Sequence, residues 1–279
     1  MDNRPIGVFD SGVGGLSIWR AIRKLLPDES MAFFADSGHV PYGEKSTREL
    51  EDLTGRIARF LLSKDAKLIV VACNTATVHT IAYLREAFPD VPFVGVVPVV
   101  KTLARRTRTG TIAVLSTPAT SESPYLAALI REFAPDKHVI NVGCDGLENM
   151  VESGQLRTRA TNALLERHLA PVKGSAADVV GLGCTHYPFL RARIKSMLGR
   201  GVRLYDPSRP VARRVRQVLA ASDALARNPA PDYTFYTTGD AALFGRVATK
   251  LLRFPVRDAG YVHLESVEPA AVSHARAHA

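Results

Sequence analysis

The stretch Lys67–Thr75, KLIVVACNT, joins an apolar run to a cysteine that is followed by polar residues. A second stretch, Asp178–His186, DVVGLGCTH, repeats this arrangement later in the chain. Each apolar run is typical of a buried parallel strand, and each polar segment leads into residues with helical spacing. Because open α/β sheets bind small ligands at the carboxyl ends of their strands, Cys73 and Cys184 are predicted to face a ligand site.

These two thiols are candidates for chemistry as well as for packing. A helix N-terminus favours the thiolate, so both cysteines qualify as bases or nucleophiles. A cysteine in an apolar strand is more often a small buried hydrophobe, and that interpretation holds for Cys144, which has no comparable polar setting. The hydroxyl, amide and imidazole groups that follow Cys73 and Cys184 argue against it at those positions.

The composition narrows the class of protein. The 279 residues carry 36 Lys and Arg against 27 Asp and Glu, a net charge of +9, but the basic residues are dispersed and lack interleaved aromatic side chains or zinc-finger spacing. No specific nucleic-acid partner is therefore predicted. Three cysteines do not make a disulfide framework, which favours a reducing, cytoplasmic compartment. Without a membrane-length apolar stretch or a signal-peptide pattern, no membrane association is expected.

Strand and helix signals alternate along the chain, which predicts an α/β fold with mainly parallel sheets. The pattern restarts near Val97, and a late apolar strand around Phe235 looks like a return to the first sheet. We therefore expect two similar, pseudo-symmetric doubly wound lobes with the active site in the cleft between them. The lobe that carries Cys73 is expected to comprise residues 1–96 plus 208–265, the lobe that carries Cys184 residues 97–207, and residues 266–279 are expected to form a frayed tail.

Two aspartates end the first two predicted strands. Asp10 opens a glycine-rich segment, Asp10–Gly15, that resembles a phosphate loop, but a carboxylate at this position would repel phosphate. Asp10 suits an ammonium group instead, or the proton of a neighbouring thiol, and Asp36 offers a second carboxylate. Each aspartate alone is typical of a turn or helix cap. Beside Cys73 in one sheet, the two predict a polar site.

His186 follows Cys184 by two residues, and a Cys–His neighbourhood can lower the pKa of a thiol. Metal binding is an alternative, because cysteine and histidine are zinc ligands, but no CxxC or HxxxH spacing is present. Thiol redox chemistry is a further alternative, and the missing CxxC motif and the placement of the two cysteines on different lobes disfavour it. A metal-free acid–base site remains the preferred interpretation.

At the level of motifs, the chain resembles the glutamate racemases of the cofactor-independent amino-acid racemase superfamily. The resemblance runs from Ile6 to about Leu204 and, more faintly, through Tyr233 to Leu264. Its strongest marks are Gly7–Leu16 (GVFDSGVGGL), Pro41–Gly43 (PYG), Ala72–Thr77 (ACNTAT) and Gly183–Pro188 (GCTHYP).

The resemblance implies roles for individual residues. Cys73 and Cys184 would be the two catalytic acid/bases, with Asp10 assisting Cys73, and with His186 and Glu152 assisting Cys184. By the same resemblance, Cys73 would take the proton from D-glutamate and Cys184 from L-glutamate. The expected substrate-binding set is Asp10, Ser11, Asp36, Ser37, Tyr42, Gly43, Asn74, Thr75, Thr117, Thr120, Thr185 and His186.

The resemblance also implies the setting of the activity. Members of the family use no metal, pyridoxal phosphate or nucleotide, commonly form homodimers, and supply D-glutamate for peptidoglycan. Two positions depart from the usual family pattern, Val97–Val100 in place of a Pro-Gly sequence and Cys144-Asp145 in place of Cys-Pro. They bear on lobe geometry and substrate fit. An aspartate racemase or another superfamily isomerase remains an alternative, and a non-catalytic binding protein is a more distant one.

Overall fold

The computed structural model describes residues 1–96 and 99–268, and its strands form two sheets. The strands are β1 Ile6–Asp10, β2 Met31–Ala35, β3 Leu68–Val71, β4 Phe93–Gly95, β5 Thr111–Ser116, β6 His138–Gly143, β7 Val179–Leu182, β8 Arg203–Tyr205, β9 Tyr233–Thr237 and β10 Gly260–Tyr261. The six-stranded sheet has the order β10-β9-β2-β1-β3-β4, and the four-stranded sheet has the order β6-β5-β7-β8. Every strand pairing is parallel. The predicted α/β fold with mainly parallel sheets is confirmed.

The helices connect these strands and cover the sheets. The second α-helix is capped reciprocally at its N-terminus by Ser46 and Glu49, with Glu49 Oε2 2.8 Å from the Ser46 backbone nitrogen. The α-helices are α1 Leu16–Leu25, α2 Thr47–Leu62, α3 Asn74–Ala87, α4 Val100–Arg106, α5 Pro118–Ser121, α6 Pro124–Phe133, α7 Leu147–Glu152, α8 Arg159–Lys173, α9 Arg191–Leu198, α10 Ser208–Ala221 and α11 Ala241–Leu252. None of the helices in these ranges is long and apolar enough to cross a membrane.

The core of the larger sheet lies on both of its faces. Along β2, Phe33 packs into the cluster that contains Trp19, whereas its neighbour Phe34 packs into the cluster beneath α2 that contains Ile57. Successive side chains of a strand point to opposite faces, so an uninterrupted apolar run requires a layer of packing on each side. This explains why the sequences of these strands are continuous apolar runs rather than alternating apolar and polar residues.

The registers place the chemically interesting residues at strand ends. Phe9 of β1 pairs with Val71 of β3, so Asp10 and the segment that begins at Ala72 emerge side by side. In the smaller sheet Leu115 of β5 pairs with Leu182 of β7, which brings the residues after Ser116 beside Gly183. Each sheet therefore presents one cysteine loop at its carboxyl edge.

The C-terminal part of the chain adds to the larger sheet. Strand β9 pairs with β2 over five residues, Met31 opposite Tyr233 through Ala35 opposite Thr237, and α10 packs on α1. The proposed lobe boundaries themselves stay a prediction. Val97 and Pro98, where the first family departure and the first boundary fall, lie outside the described residues, as does 269–279 of the predicted tail. Within 266–268, the carbonyl of Val267 accepts a hydrogen bond from Arg56.

Candidate active site

A cavity of about 510 Å³ lies where the cysteine loops of the two sheets meet, and both Cys73 and Cys184 line it. Its walls come from strand-end loops, from the start of α3 and from one face of α7. The lining residues are Ser11, Val40, Pro41, Tyr42, Gly43, Glu44, Cys73, Asn74, Thr75, Thr117, Pro118, Ala119, Thr120, Asp145, Glu148, Asn149, Glu152, Gly183, Cys184, Thr185 and His186.

Cys73 is the N-cap residue of α3. Its sulfur accepts a hydrogen bond from the backbone nitrogen of Ala76 at 3.5 Å and lies 3.7 Å from the hydroxyl of Ser11. Burial raises the pKa of this thiol to about 12, and the nearby carboxyl of Asp10 adds to the rise. Cys73 is therefore a protonated thiol at neutral pH.

Cys184 has a different environment. Its sulfur lies 3.4 Å from Nδ1 of His186, and Nε2 of the same ring lies 2.6 Å from Oε1 of Glu152. Burial favours neutral His186, but the neighbouring Cys184 sulfur and Glu152 carboxylate outweigh it and raise the pKa of the imidazole well above its usual range. A protonated His186 places a positive charge beside Cys184, where it can pair with the thiolate form.

The glycine-rich segment after β1 packs directly against the Cys184 side of the cavity. The backbone nitrogen of Val13 donates a 2.8 Å hydrogen bond to Oε1 of Glu152. A Cβ on Gly12 would lie 2.0 Å from that oxygen, and a Cβ on Gly14 would lie 2.6 Å from Nδ1 of His186. Glycine is needed here because the backbone approaches the side chains of Glu152 and His186 too closely for any larger residue.

Asp10 lies behind the cavity rather than in its wall. The carboxyl is fully buried, and Oδ2 accepts hydrogen bonds from the backbone nitrogen of Gly15 at 2.5 Å and from Oγ1 of Thr185 at 3.3 Å. Burial raises its pKa, which the charges of His186 and the Gly15 hydrogen bond only partly offset. Asp10 thus contacts the cavity wall through Thr185, and its carboxyl lies close enough to Cys73 to raise the pKa of that thiol.

Asp36 also lies outside the cavity wall. Its buried carboxylate accepts hydrogen bonds from the Tyr42 hydroxyl at 2.6 Å and from Thr238 Oγ1 at 2.7 Å, and Nδ1 of His39 lies 2.6 Å away. Tyr42 does line the cavity, so Asp36 orients a wall residue instead of facing a ligand. Ser37, the third predicted substrate-binding residue outside the wall, packs near Gly239.

The remaining predicted residues are brought together around the cavity. The amide of Asn74 is the most available of them, because both of its polar atoms are buried without a hydrogen-bond partner in the described part of the chain. An unpaired buried amide is costly unless a ligand completes it. The predicted residues that line the cavity are Ser11, Tyr42, Gly43, Cys73, Asn74, Thr75, Thr117, Thr120, Glu152, Cys184, Thr185 and His186.

Sequence reasoning missed one wall of the cavity. Asp145 lies just before α7, and Glu148, Asn149 and Glu152 within α7 line the cavity at the spacing of three and four residues that marks one face of a helix. That spacing after Cys144 was the signal that could have found them. The other missed lining residues are Val40, Pro41, Glu44, Pro118, Ala119 and Gly183.

The donors in this site are neutral or imidazole groups. Within residues 1–96 and 99–268, no lysine or arginine lines the cavity, and no cluster of three or more His, Cys, Asp or Glu side chains is arranged to hold a metal ion. An anionic ligand must then be bound by hydroxyls, by the Asn74 amide and by backbone N–H groups such as those at the start of α3. The arrangement offers two thiols, one on each sheet, to a single ligand.

Comparison with known proteins identifies the family. A family model for Asp/Glu/hydantoin racemases matches residues 14–215. The chain belongs to the Asp/Glu/hydantoin racemase family. The resemblance inferred from its two cysteine motifs is confirmed.

Relatives of this racemase-family chain cover nearly all of its length. A glutamate racemase from Ectopseudomonas mendocina is 44% identical over 248 residues, which span 89% of this chain and 94% of the relative. The crystal structure of a glutamate racemase isoform from Bacillus anthracis matches with a TM-score of 0.83 at 32% identity, over 95% of this chain and 99% of that one. Glutamate racemase from Francisella tularensis, solved in complex with D-glutamate, matches with a TM-score of 0.81 at 29% identity, over 95% and 100%.

Proposed function

We propose that this chain is a glutamate racemase that interconverts L- and D-glutamate by proton transfer between two thiols, without a cofactor. The observation that carries the proposal is the position of Cys73 and Cys184 in the wall of one cavity, each supplied by a different sheet. The glutamate racemases named above support glutamate as the substrate.

The reaction needs a base on one face of the α-carbon and an acid on the other. A thiolate removes the weakly acidic α-proton, and the opposite thiol delivers its own proton to the other face of the resulting carbanion. The first cysteine ends as a thiol and the second as a thiolate, so the reverse reaction uses the same groups with exchanged roles.

The two cysteines have different surroundings. Cys73, with its pKa raised to about 12 by burial and by Asp10, is suited to donate a proton. Cys184 lies 3.4 Å from the imidazole of His186, whose raised pKa keeps a positive charge beside the sulfur when Cys184 removes a proton. We therefore assign removal of the α-proton of L-glutamate to Cys184, as the family resemblance implies.

The carbanion also requires stabilisation of its carboxylate. The buried Asn74 amide, the hydroxyl of Thr75 and the N-terminal backbone of α3 can donate to this group without reorganising during the reaction. We assign substrate binding to the predicted residues that line the cavity. Asp10 and Asp36 are assigned supporting roles, through Thr185 and Tyr42 respectively.

The wider setting of the activity is part of the proposal. We propose that the enzyme acts in the cytoplasm, forms a homodimer and supplies D-glutamate for peptidoglycan. These statements rest on the family resemblance alone. An analytical ultracentrifugation measurement of the purified chain distinguishes a monomer from a dimer.

The activity is tested by incubating purified protein with L-glutamate or L-aspartate without added cofactor and following the optical activity. We expect L-glutamate to racemise and L-aspartate to react far more slowly. Faster turnover of aspartate would identify the chain as an aspartate racemase. Loss of activity on exhaustive chelation, with recovery on adding a metal, would disprove the cofactor-free mechanism.

The two-thiol mechanism is tested by serine variants with a glutamate analogue that carries a β leaving group. Elimination needs proton removal from one face only, so each remaining thiol serves its own enantiomer. Cys73→Ser should eliminate only from the L analogue and Cys184→Ser only from the D analogue, while racemisation falls by roughly 100-fold or more in both. Equal processing of both enantiomers by both variants would show that the faces are not divided between the cysteines.

A further inference from the structure

One wall of the catalytic cavity is formed by five consecutive residues, Val40 to Glu44, in the segment between β2 and α2. We call this segment the 40–44 wall. Four of its residues are exposed, and only Tyr42 is buried, in the same core cluster as Cys73. The position of the wall relative to this thiol therefore depends on the groups that hold Tyr42.

A single carboxylate holds the wall in place. Oδ2 of Asp36 accepts a 2.6 Å hydrogen bond from the Tyr42 hydroxyl, and Oδ1 lies 2.6 Å from Nδ1 of His39. Oδ1 also accepts a 2.7 Å hydrogen bond from Thr238, whose Oγ1 accepts one from the backbone nitrogen of Gly38 at 2.9 Å. The Asp36 side chain thus closes the loop that leads to Tyr42 and attaches it to the end of β9.

His39 supplies the positive charge that pairs with this carboxylate. The Asp36 side chain is fully buried, and within residues 1–96 and 99–268 it forms an ion pair with His39 alone. The hydrogen bond to Asp36 raises the pKa of His39 against the opposing effect of burial. Because a buried carboxylate without a paired charge is costly, the imidazolium stabilises the charged Asp36 that accepts from Tyr42.

The other ring nitrogen of His39 faces the C-terminal strap, which we define as residues 260–267. Nε2 lies 3.4 Å from Oε1 of Glu265, and this contact also raises the pKa of the imidazole. The strap is itself attached to α2, because the carbonyl of Val267 accepts a 2.6 Å hydrogen bond from Arg56. His39 therefore links the cavity wall to a segment that lies 226 residues later in the chain.

We propose that His39 is a positioning residue, whose ring keeps Tyr42 in the wall of the catalytic cavity by pairing with the carboxylate between them. Glu265 of the C-terminal strap holds the ring from its other side. The effect on turnover rests on the proposed racemase function, because Tyr42 belongs to the predicted substrate-binding set. The position of the wall does not depend on that function, so the two parts have separate tests.

The position of the wall is tested without catalysis, by the rate at which iodoacetamide alkylates Cys73 at fixed pH. Cys144→Ala and Cys184→Ser are combined in the parent protein so that this thiol alone reacts. Cys73 is only 6% exposed and packs in one cluster with Tyr42, so a loosened wall exposes it. We expect His39→Ala to raise the rate about tenfold, the change that corresponds to losing one hydrogen bond to a charged group.

His263→Ala is the matched control for this measurement. The His263 ring is 65% exposed and pairs with the same Glu265 carboxylate, with 3.1 Å between Nδ1 and Oε2, and in the described ranges it forms no ion pair with Asp36. We expect His263→Ala to react at the rate of the parent. His39→Asn, whose amide can keep the hydrogen bond to Asp36 without the charge, should react at an intermediate rate. An unchanged rate in His39→Ala, or an equal increase in His263→Ala, would overturn the positioning role.

The effect on the reaction is tested by the kinetics of glutamate racemisation in a background that retains all three cysteines. We expect His39→Ala to raise KM about tenfold and to change kcat by less than about twofold, because the wall binds substrate and does not transfer the proton. His39→Asn should recover part of the lost affinity, and His263→Ala should match the wild type. An unchanged KM in His39→Ala, or an equal rise in His263→Ala, would overturn the link to substrate binding.

The two tests separate this inference from the proposed function. A protein whose Cys73 alkylation responds to His39→Ala as expected, but which does not racemise glutamate, would contradict the proposed function and leave the positioning role standing. Racemisation that proceeds in the wild type, with alkylation of Cys73 insensitive to His39→Ala, would have the opposite meaning.

Discussion

Glu152 and His186 are joined by a contact of 2.6 Å between Oε1 and Nε2, and the same carboxylate oxygen accepts a hydrogen bond from the backbone of Val13. One oxygen thus holds the imidazole beside Cys184 and attaches it to the glycine-rich segment of the other sheet. With Nε2 held by this contact, Nδ1 of His186 faces the Cys184 sulfur at 3.4 Å.

Glu152→Gln should reduce proton removal by Cys184 more than proton removal by Cys73. The pKa of His186 is lowered by burial and raised by Cys184 and Glu152, so losing the carboxylate charge lowers it. The imidazolium is then lost at a lower pH than in the wild type. We expect solvent deuterium exchange into L-glutamate, followed by proton NMR, to fall about 100-fold. An equal effect on exchange into D-glutamate would contradict this assignment.

Asp10→Asn should lower the pKa of Cys73. Burial is the main cause of the raised pKa of Cys73, so this pKa stays above the usual range in the variant. The charge of Asp10 adds to the rise, and the neutral amide of asparagine does not. In a background of Cys144→Ala and Cys184→Ser, the rate of alkylation of Cys73 at fixed pH should rise, because it follows the thiolate fraction. Cys144 is replaced because burial raises the pKa of its thiol to about 12 as well, so its alkylation could not be told apart from that of Cys73. A slower or unchanged rate would show that Asp10 does not act on this thiol.

Gly14→Ala should abolish most of the activity while the protein still folds. The added Cβ would lie 2.6 Å from both His186 Nδ1 and Thr185 Oγ1, so the Cys184 loop must move. Gly174→Ala is the matched control, since nothing lies within 4 Å of its added Cβ. We expect kcat to fall at least about tenfold for the first variant and to stay unchanged for the second, with circular dichroism reporting the fold. Full activity in Gly14→Ala would show that the close approach is not required.

Lys67→Met should destabilise the protein strongly at the edge of the sheet opposite the site. Lys67 and Glu29 form an ion pair with 2.6 Å between Nζ and Oε2, and their side chains are only 1% and 2% exposed. Removing one partner leaves a buried uncompensated charge, a loss of about 3–5 kcal/mol in the free energy of unfolding. The double variant with Glu29→Gln should recover part of it in urea titrations. If Lys67→Met alone unfolds at the same urea concentration as the wild type, the charge of Glu29 must be compensated by another group.

The sequence predicts the structure best where a local residue pattern also determines the position of a segment in the fold. The apolar runs before Cys73 and Cys184 form interior strands of the two different sheets, because a parallel sheet covered on both faces requires continuous apolar residues. The glycines of the Asp10–Gly15 segment indicate that another group approaches the backbone closely. The sequence does not show which group this is. That partner, Glu152, lies 139 residues away in the chain from Val13, and local spacing carries no information on such a contact.

Other site residues could not be placed from local pattern. Asp36 follows its strand as Asp10 does, yet β9 pairs beside β2 and brings Thr238 to the Asp36 carboxylate. With Tyr42 and His39 also bound to it, Asp36 is satisfied inside the protein and does not reach the cavity. Glu148 shows the opposite case, because it looks like an ordinary helix-surface acid until the fold turns that face of α7 towards Cys184.

The hydrogen bonds that converge on Thr185 limit how this enzyme can be rebuilt from parts. Its side chain donates to Asp10 and its carbonyl accepts from Ser17, so the loop that carries Cys184 is completed by residues whose strand and helix belong to the other sheet. A chimaera that takes only the four-stranded portion from a relative would contain that relative's Cys184 loop. It would lack the relative's own groups that hydrogen-bond to Thr185. The exchange would succeed only if the segment from Asp10 to Ser17 were taken from the same relative as the four-stranded portion, although the two are separate in the sequence.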